Sequence, residues 1–308
     1  MTGIEDIGVS RSLMPYHSRF VDNGGFRQHF IDEGSGPPVV MVHGNPSWCF
    51  LWRDLIGGLR DGYRCLAVDH IGCGLSEKPG DGAYPFTLAR RVEDLGRWID
   101  GLDLKEPITL VAHDWGGMIA MAWAVQNPGR VGRIALFNTA AFPNPYVTRL
   151  PWQLWLVRNT PVGAWLVEYA NAFAVGAAWT AVTRRRLPPE VREAFVAPYR
   201  RREDRLATLR FVQDIPLGPG DAGYDIVLGT ERLLPVFSRT PVFVGWGLRD
   251  FVFDKRFLER FKAHWPHAEV MEFADSGHYV LEDRHEDLVP AVRRFLDTHP
   301  ASPGTVEG

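Results

Sequence analysis

The chain has 308 residues, 45% of them hydrophobic and 23% charged, with a formal net charge of −3. This size accommodates one large catalytic domain with an insertion, or two modest domains, and the composition is that of an ordinary globular protein. The near-balanced charge gives no electrostatic basis for nucleic acid or an anionic membrane as the main partner, and Cys49, Cys65 and Cys73 offer neither a close pair nor a metal-ligand spacing, so a reduced, cytoplasmic, metal-free chain is expected.

From the N-terminus, Met1 to Arg19 is polar and lacks the apolar core of a signal peptide. Short apolar runs then alternate with helical patterns. Pro38 to Val42, Tyr63 to Val68, Ile108 to Ala112 and Ile134 to Phe137 read as strands, as do Pro241 to Gly245 and Ala268 to Phe273. Runs without polar alternation predict strands buried on both faces, hence a parallel sheet covered by helices. Thr87 is placed to cap a helix running to about Leu102, Met118 to Gln126 suits a helix, and Asp287 to Asp297 suits the last one. An open α/β sheet binds its ligands beyond the carboxyl ends of its strands.

The strand rhythm stops between 140 and 238. The expected organisation is therefore an α/β-hydrolase core from 1–139 and 239–298, a helical cap at 140–238, and a disordered tail at 299–308. Trp152, Trp155, Trp165 and Trp179 crowd one stretch of the cap. They are expected mainly as cap core, with some lining an apolar cavity over the site. Arg158, Pro161, Glu168 and Asn171 interrupt this stretch, which excludes a transmembrane helix. The arginine runs 184–186 and 200–202 read as solvated surface.

The strand Ile108 to Ala112 runs into His113-Asp114-Trp115-Gly116-Gly117 and then a helix. A strand–turn–helix with glycines after its central residue is a nucleophile elbow, which holds the middle side chain out over the sheet. That residue is Asp114, and a carboxylate is nucleophilic at neutral pH without a base to deprotonate it. The plainer role for Asp114 is to cap the following helix. His278, between a strand and the final helix, is the candidate base. The acid that orients it is Asp250, after Pro241 to Gly245, with Asp254 as rival; the other position used in this architecture carries Asn138-Thr139 and no carboxylate. The backbone N–H groups of Asn45 and Trp115 are expected to form an oxyanion pocket, with the Asn45 amide and Trp115 indole N–H as further donors for a leaving anion. His43 and His113 flank this set. The chemistry calls for no cofactor.

The strings HGNPSW, DHIGCGLSEKP, HDWGG, WGLRD and SGHYVLED resemble haloalkane dehalogenases across most of residues 25 to 298. The resemblance implies Asp114 as nucleophile, His278 as base, Asp250 as acid, and Asn45 with Trp115 as the leaving-group pair. Epoxide hydrolases share this elbow but need two cap tyrosines, for which Tyr146, Tyr169, Tyr199 and Tyr224 are available. The cap strings LPWQLWLVRNTPVGAWLVEYANAFA and APYRRREDRLATLRFVQDIPL, with WGLRDFVFDKRFLERF, are similar to the β-lactone decarboxylase branch of bacterial olefin biosynthesis. That branch implies a long-chain cis-β-lactone as substrate and a cis-alkene and carbon dioxide as products. A separate reading is a scaffold subunit of a pathway complex, its aromatic cap docking a partner enzyme or a membrane surface.

Overall fold

The computed structural model describes residues 3–145 and 150–301; Tyr146 and the tail from 302 onward lie outside the described residues. Among the described residues, one eight-stranded sheet has the order β1-β2-β4-β3-β5-β6-β7-β8. The strands are β1 (Ser18–Asn23), β2 (Phe26–Glu33), β3 (Pro38–Val42), β4 (Arg64–Val68), β5 (Ile108–Asp114), β6 (Val131–Thr139), β7 (Val242–Gly247) and β8 (Glu269–Phe273). β1 and β2 run antiparallel at one edge, and the strands from β4 to β8 are parallel. The β1–β2 hairpin adds to the six expected strands. Its turn signal, Asn23-Gly24-Gly25, stands in the sequence, with both glycines at positive φ.

Helices cover both faces: α1 (Arg53–Leu59), α2 (Leu88–Gly101) and α3 (Trp115–Ala124), then α10 (Lys255–His264), α11 (Val280–Asp283) and α12 (His285–Thr298) in the later part. The period of two in the strands divides the core cleanly. Val40 and Val42 pack with Leu110, Trp98 and Ile119 on one face, while Val39 and Met41 pack with Val111, Leu55 and Val292 on the other. The Thr87 hydroxyl accepts from the Arg90 N–H, so the expected cap is in place. All three cysteines are free and buried.

Between β6 and β7 the described residues carry α4 (Trp152–Asn159), α5 (Pro161–Ala170), α6 (Ala172–Thr180), α7 (Pro189–Val196), α8 (Leu206–Gln213) and α9 (Tyr224–Leu233), and no strand. The four clustered tryptophans correct an expectation. Trp152 is 71% exposed, and Trp155, Trp165 and Trp179 are about half exposed, so none is cap core and none lines the cavity. Leu154, Val157 and Val167 instead supply the buried face of these short helices, packing on Leu209 and Val212 of α8.

Candidate active site

β5 ends at the elbow. Asp114 sits at φ 55°, ψ −128°, a strained conformation for a residue with a side chain, held by the strand on one side and α3 on the other. Its own side chain makes no capping hydrogen bond to α3, which removes the plainer role considered from sequence. Two glycines admit the turn by close approach. A Cβ on Gly116 would collide with the Val42 carbonyl of the neighbouring strand, and one on Gly44 would collide with the Asp114 carboxylate itself. The α3 helix starts at Trp115, three residues before its expected start, because the elbow leads into it directly.

The three predicted polar residues meet at the carboxyl ends of β5 and β7. His278 Nε2 lies 3.6 Å from Asp114 Oδ2, and His278 Nδ1 donates to Asp250 Oδ2 at 2.8 Å. All three are buried. Burial pushes the Asp114 carboxyl up from an ordinary 3.8 to about 6, against the pull of His278 and of the Trp115 and Asn45 backbone N–H groups. Burial depresses His278, but the Asp250 charge, its hydrogen bond and Asp114 outweigh it and leave the imidazole above its usual range. Asp250 is likewise penalised by burial and held below the ordinary carboxylate range by His278. At neutral pH the site therefore holds a largely ionised Asp114 beside a His278 imidazole that a second carboxylate, Asp250, braces and biases towards its protonated form. Asp254, the rival acid, accepts from the Arg256 N–H and starts α10.

Asn138 is the functional neighbour that sequence reasoning passed over, noted there only as a missing carboxylate. Its Nδ2 donates to Asp250 Oδ2 at 2.9 Å and to the Gly247 carbonyl at 3.0 Å, and its Oδ1 accepts the Gly247 N–H at 2.8 Å. One amide thus ties β6 to β7 and fixes the acid. Asn138→Ala is expected to cost about 1–3 kcal/mol in urea unfolding, because it leaves the buried Gly247 N–H without its partner, and to lower kcat about tenfold by loosening Asp250.

Asn45 and Trp115, the expected donors, both line the cavity beside Asp114. The Asn45 N–H donates to Asp114 Oδ1 at 2.6 Å. The Asp114 carboxylate thus itself takes up one of the two backbone donors expected around an oxyanion pocket. Asn45 Nδ2 donates to the Thr208 carbonyl of α8 at 3.0 Å, while its Oδ1 is buried without a partner. Flipping the amide would set two carbonyl oxygens together, so the donor end faces Thr208. One amide hydrogen remains for a ligand, and the Trp115 indole lines the same cavity.

His113 and His43 are supports. His113 Nε2 donates to the His278 carbonyl at 2.8 Å, and burial, with His278 beside it, drives its pKa down to about 3, so it stays neutral. His43 Nε2 accepts the His70 N–H at 3.1 Å, which leaves the proton on Nδ1 to reach the Gly44 carbonyl at 2.6 Å. The loop Asp69 to Gly74 supports this side as a hub. His29, Cys49 and Asp69 are the described residues with metal-ligand chemistry in one place. The Asp69 oxygens accept from the His29 ring and the Cys49 and Leu75 N–H groups, which makes it the centre of a buried hydrogen-bond network.

Above the triad lies a cavity of about 920 Å³. Apart from Asn45, Asp114 and His278, its walls are largely apolar, with Phe142, Leu154, Phe173, Phe253 and Phe257 prominent. Among the described residues no tyrosine lines it. Tyr199 is buried with its hydroxyl donating to the Ser47 carbonyl at 3.2 Å, and Tyr169 is half exposed. The pair of acids that an epoxide would require is therefore not assembled from the described tyrosines.

A strained elbow after a central parallel strand, an Asp-His-Asp relay at strand ends and a helical insertion over an apolar cavity define a class, and residues 37–285 match its family model: the chain belongs to the α/β-hydrolase fold family. Within that family it is similar to two proteins named cis-3-alkyl-4-alkyloxetan-2-one decarboxylase. The one from Shewanella oneidensis is 48% identical over 92% of this chain and 90% of that protein. The one from Xanthomonas campestris is 49% identical over 90% and 94%. Haloalkane dehalogenase 2 of Mycobacterium tuberculosis is 33% identical over 93% and 97%. The crystal structure of the haloalkane dehalogenase DatA from Agrobacterium tumefaciens superposes with a TM-score of 0.84 at 26% identity, covering 94% of this chain and all of that one.

Proposed function

We propose that this enzyme decarboxylates cis-3-alkyl-4-alkyloxetan-2-ones, β-lactones carrying two alkyl chains, to cis-alkenes, with Asp114 as nucleophile, His278 and Asp250 as its charge relay, Asn45 and Trp115 as anion donors, and 140–238 as a cap. The substrate assignment rests on the near-half identity to the two decarboxylases over almost the whole chain. The large apolar cavity suits two alkyl chains better than it needs to for a small haloalkane. No helix among the described residues is long and apolar enough to cross a membrane. A cytoplasmic location, and work alongside enzymes that make the lactone, belong to this reading.

The chemistry balances without water. An Asp114 oxygen bonds to ring carbon C4 as the C4–O bond breaks, and the ring oxygen leaves as the substrate's own carboxylate, received by the Asn45 amide and Trp115 indole. The C3–carboxylate bond then breaks, its electron pair forms the C3=C4 double bond, and the C4–O bond to Asp114 returns its pair to Asp114. Inversion at C4 followed by anti elimination gives the cis-alkene from the cis-lactone. His278, paired with Asp250, stabilises the departing Asp114 carboxylate.

The test is to supply the purified protein with a long-chain cis-β-lactone and, separately, a panel of bromoalkanes. Alkene and carbon dioxide in the first, with no bromide in the second, is the expected result; bromide release without alkene would sink the proposal. In the same assay kcat/KM should be flat at neutral pH. It should fall towards tenfold per unit as pH drops through about 6, because protonating Asp114 removes the nucleophile.

A further inference from the structure

The exposed rings of α4 to α6 are unusual for a soluble surface. Trp152, Trp155, Trp165, Tyr169 and Trp179 are each at least half exposed, joined by Val162 and Val175. Over 151–181 the only charged residues are Arg158 and Glu168. α4 packs on α5 and α5 on α6, so these side chains share one continuous sheet of helices. Arginines edge it: Arg192 lies 4.0 Å above the Trp179 ring and Arg202 lies 3.7 Å above Tyr169. Tryptophan and tyrosine edged by arginine is the composition of a lipid–water boundary, where an amphipathic ring meets both phases.

This apron is continuous with the cavity mouth. Of the cavity-lining residues, Gln153, Ala172, Thr180, Phe251 and Arg256 are exposed, and Trp152 and Trp179 are direct chain neighbours of Gln153 and Thr180. A folded protein seated on the apron would cover that mouth. A bilayer seated there would place the mouth against the phase in which a molecule with two alkyl chains dissolves.

We propose that α4–α6 rest on a phospholipid surface, held by the aromatic rings, so that substrate enters from the membrane and alkene returns to it. The proposal rests on the lactone reading for its purpose, but the attachment itself can be measured without substrate. The chain's net charge of −3 agrees with attachment through rings and not through charge, so electrically neutral lipid suffices.

The experiment sediments the full chain with phosphatidylcholine vesicles and measures the partition coefficient. Wild type should bind; Trp165→Ala with Trp179→Ala should weaken binding roughly tenfold, and adding Trp152→Ala and Trp155→Ala roughly 100-fold, as apolar ring area is lost from the contact. Turnover of a short-chain, water-dispersed β-lactone by the double variant should stay within about twofold of wild type, which certifies its fold. Absence of wild-type binding to vesicles overturns the proposal, as does binding that the substitutions leave unchanged. A dimer that the same substitutions dissolve, with no vesicle binding, also overturns it and assigns the apron to a second copy. Vesicle binding without alkene formation from any lactone leaves the membrane surface standing and removes the decarboxylase reading.

Discussion

Asp114→Asn is expected to abolish alkene formation, with kcat falling by at least about 10³-fold, since the amide cannot displace the ring oxygen. The same change is expected to make the protein more stable at neutral pH. Folding buries the Asp114 carboxylate and raises its pKa from 3.8 to about 6. The folded state therefore holds this proton more tightly than the unfolded chain, and stability is lost as pH rises through that interval. A shift of this size corresponds to roughly 2–3 kcal/mol above pH 6. Asparagine removes that cost at pH 7 and gains nothing below about pH 4, where both states are protonated. Thermal unfolding of the two proteins at both pH values checks this. An inactive variant that is also less stable at pH 7 would mean that the ionised Asp114 contributes to folding, contrary to the burial argument.

Gly44→Ala is the second large effect. Its methyl group would overlap Oδ1, Cγ and Cβ of Asp114, and Asp114 cannot retreat because the elbow pins its backbone. A displacement of about 1 Å at the attacking oxygen is enough to cost on the order of 10²-fold in kcat. Overpacking should add about 1–3 kcal/mol of destabilisation. The variant should therefore fold, bind a lactone analogue with little change, and turn over slowly, as steady-state kinetics and calorimetry will show. Near-normal kcat would mean that the carboxylate has freedom the structure does not give it.

The core was legible in the sequence because strands buried on both faces leave unbroken apolar runs: Val39 to Val42 and Ile108 to Ala112 could be little else. The edge hairpin was not read, since β2 runs Arg27, Gln28 and His29 together and has only Phe30 and Ile31 before Asp32 and Glu33, so it lacks such a run. His278 and Asp250 were found because each follows a strand, and strand ends converge in this topology. Asn138 was hidden: its role lies in two hydrogen bonds to Gly247 at the end of β7 and one to Asp250 just beyond it, more than a hundred residues away. The clustered tryptophans misled because hydrophobicity alone cannot say which side of a thin helical layer a ring faces.

The Asn45 amide finds its aim in the Thr208 carbonyl, a main-chain atom of the inserted helices. Substituting the Thr208 side chain leaves that acceptor where it is, whereas shifting the path of α8 moves it. In chimeras that exchange this insertion between relatives, the incoming backbone would reset the tilt of a donor that the recipient's own sequence encodes. The core and the insertion are thus not independent modules, and a graft chosen for its cavity brings an altered anion donor with it.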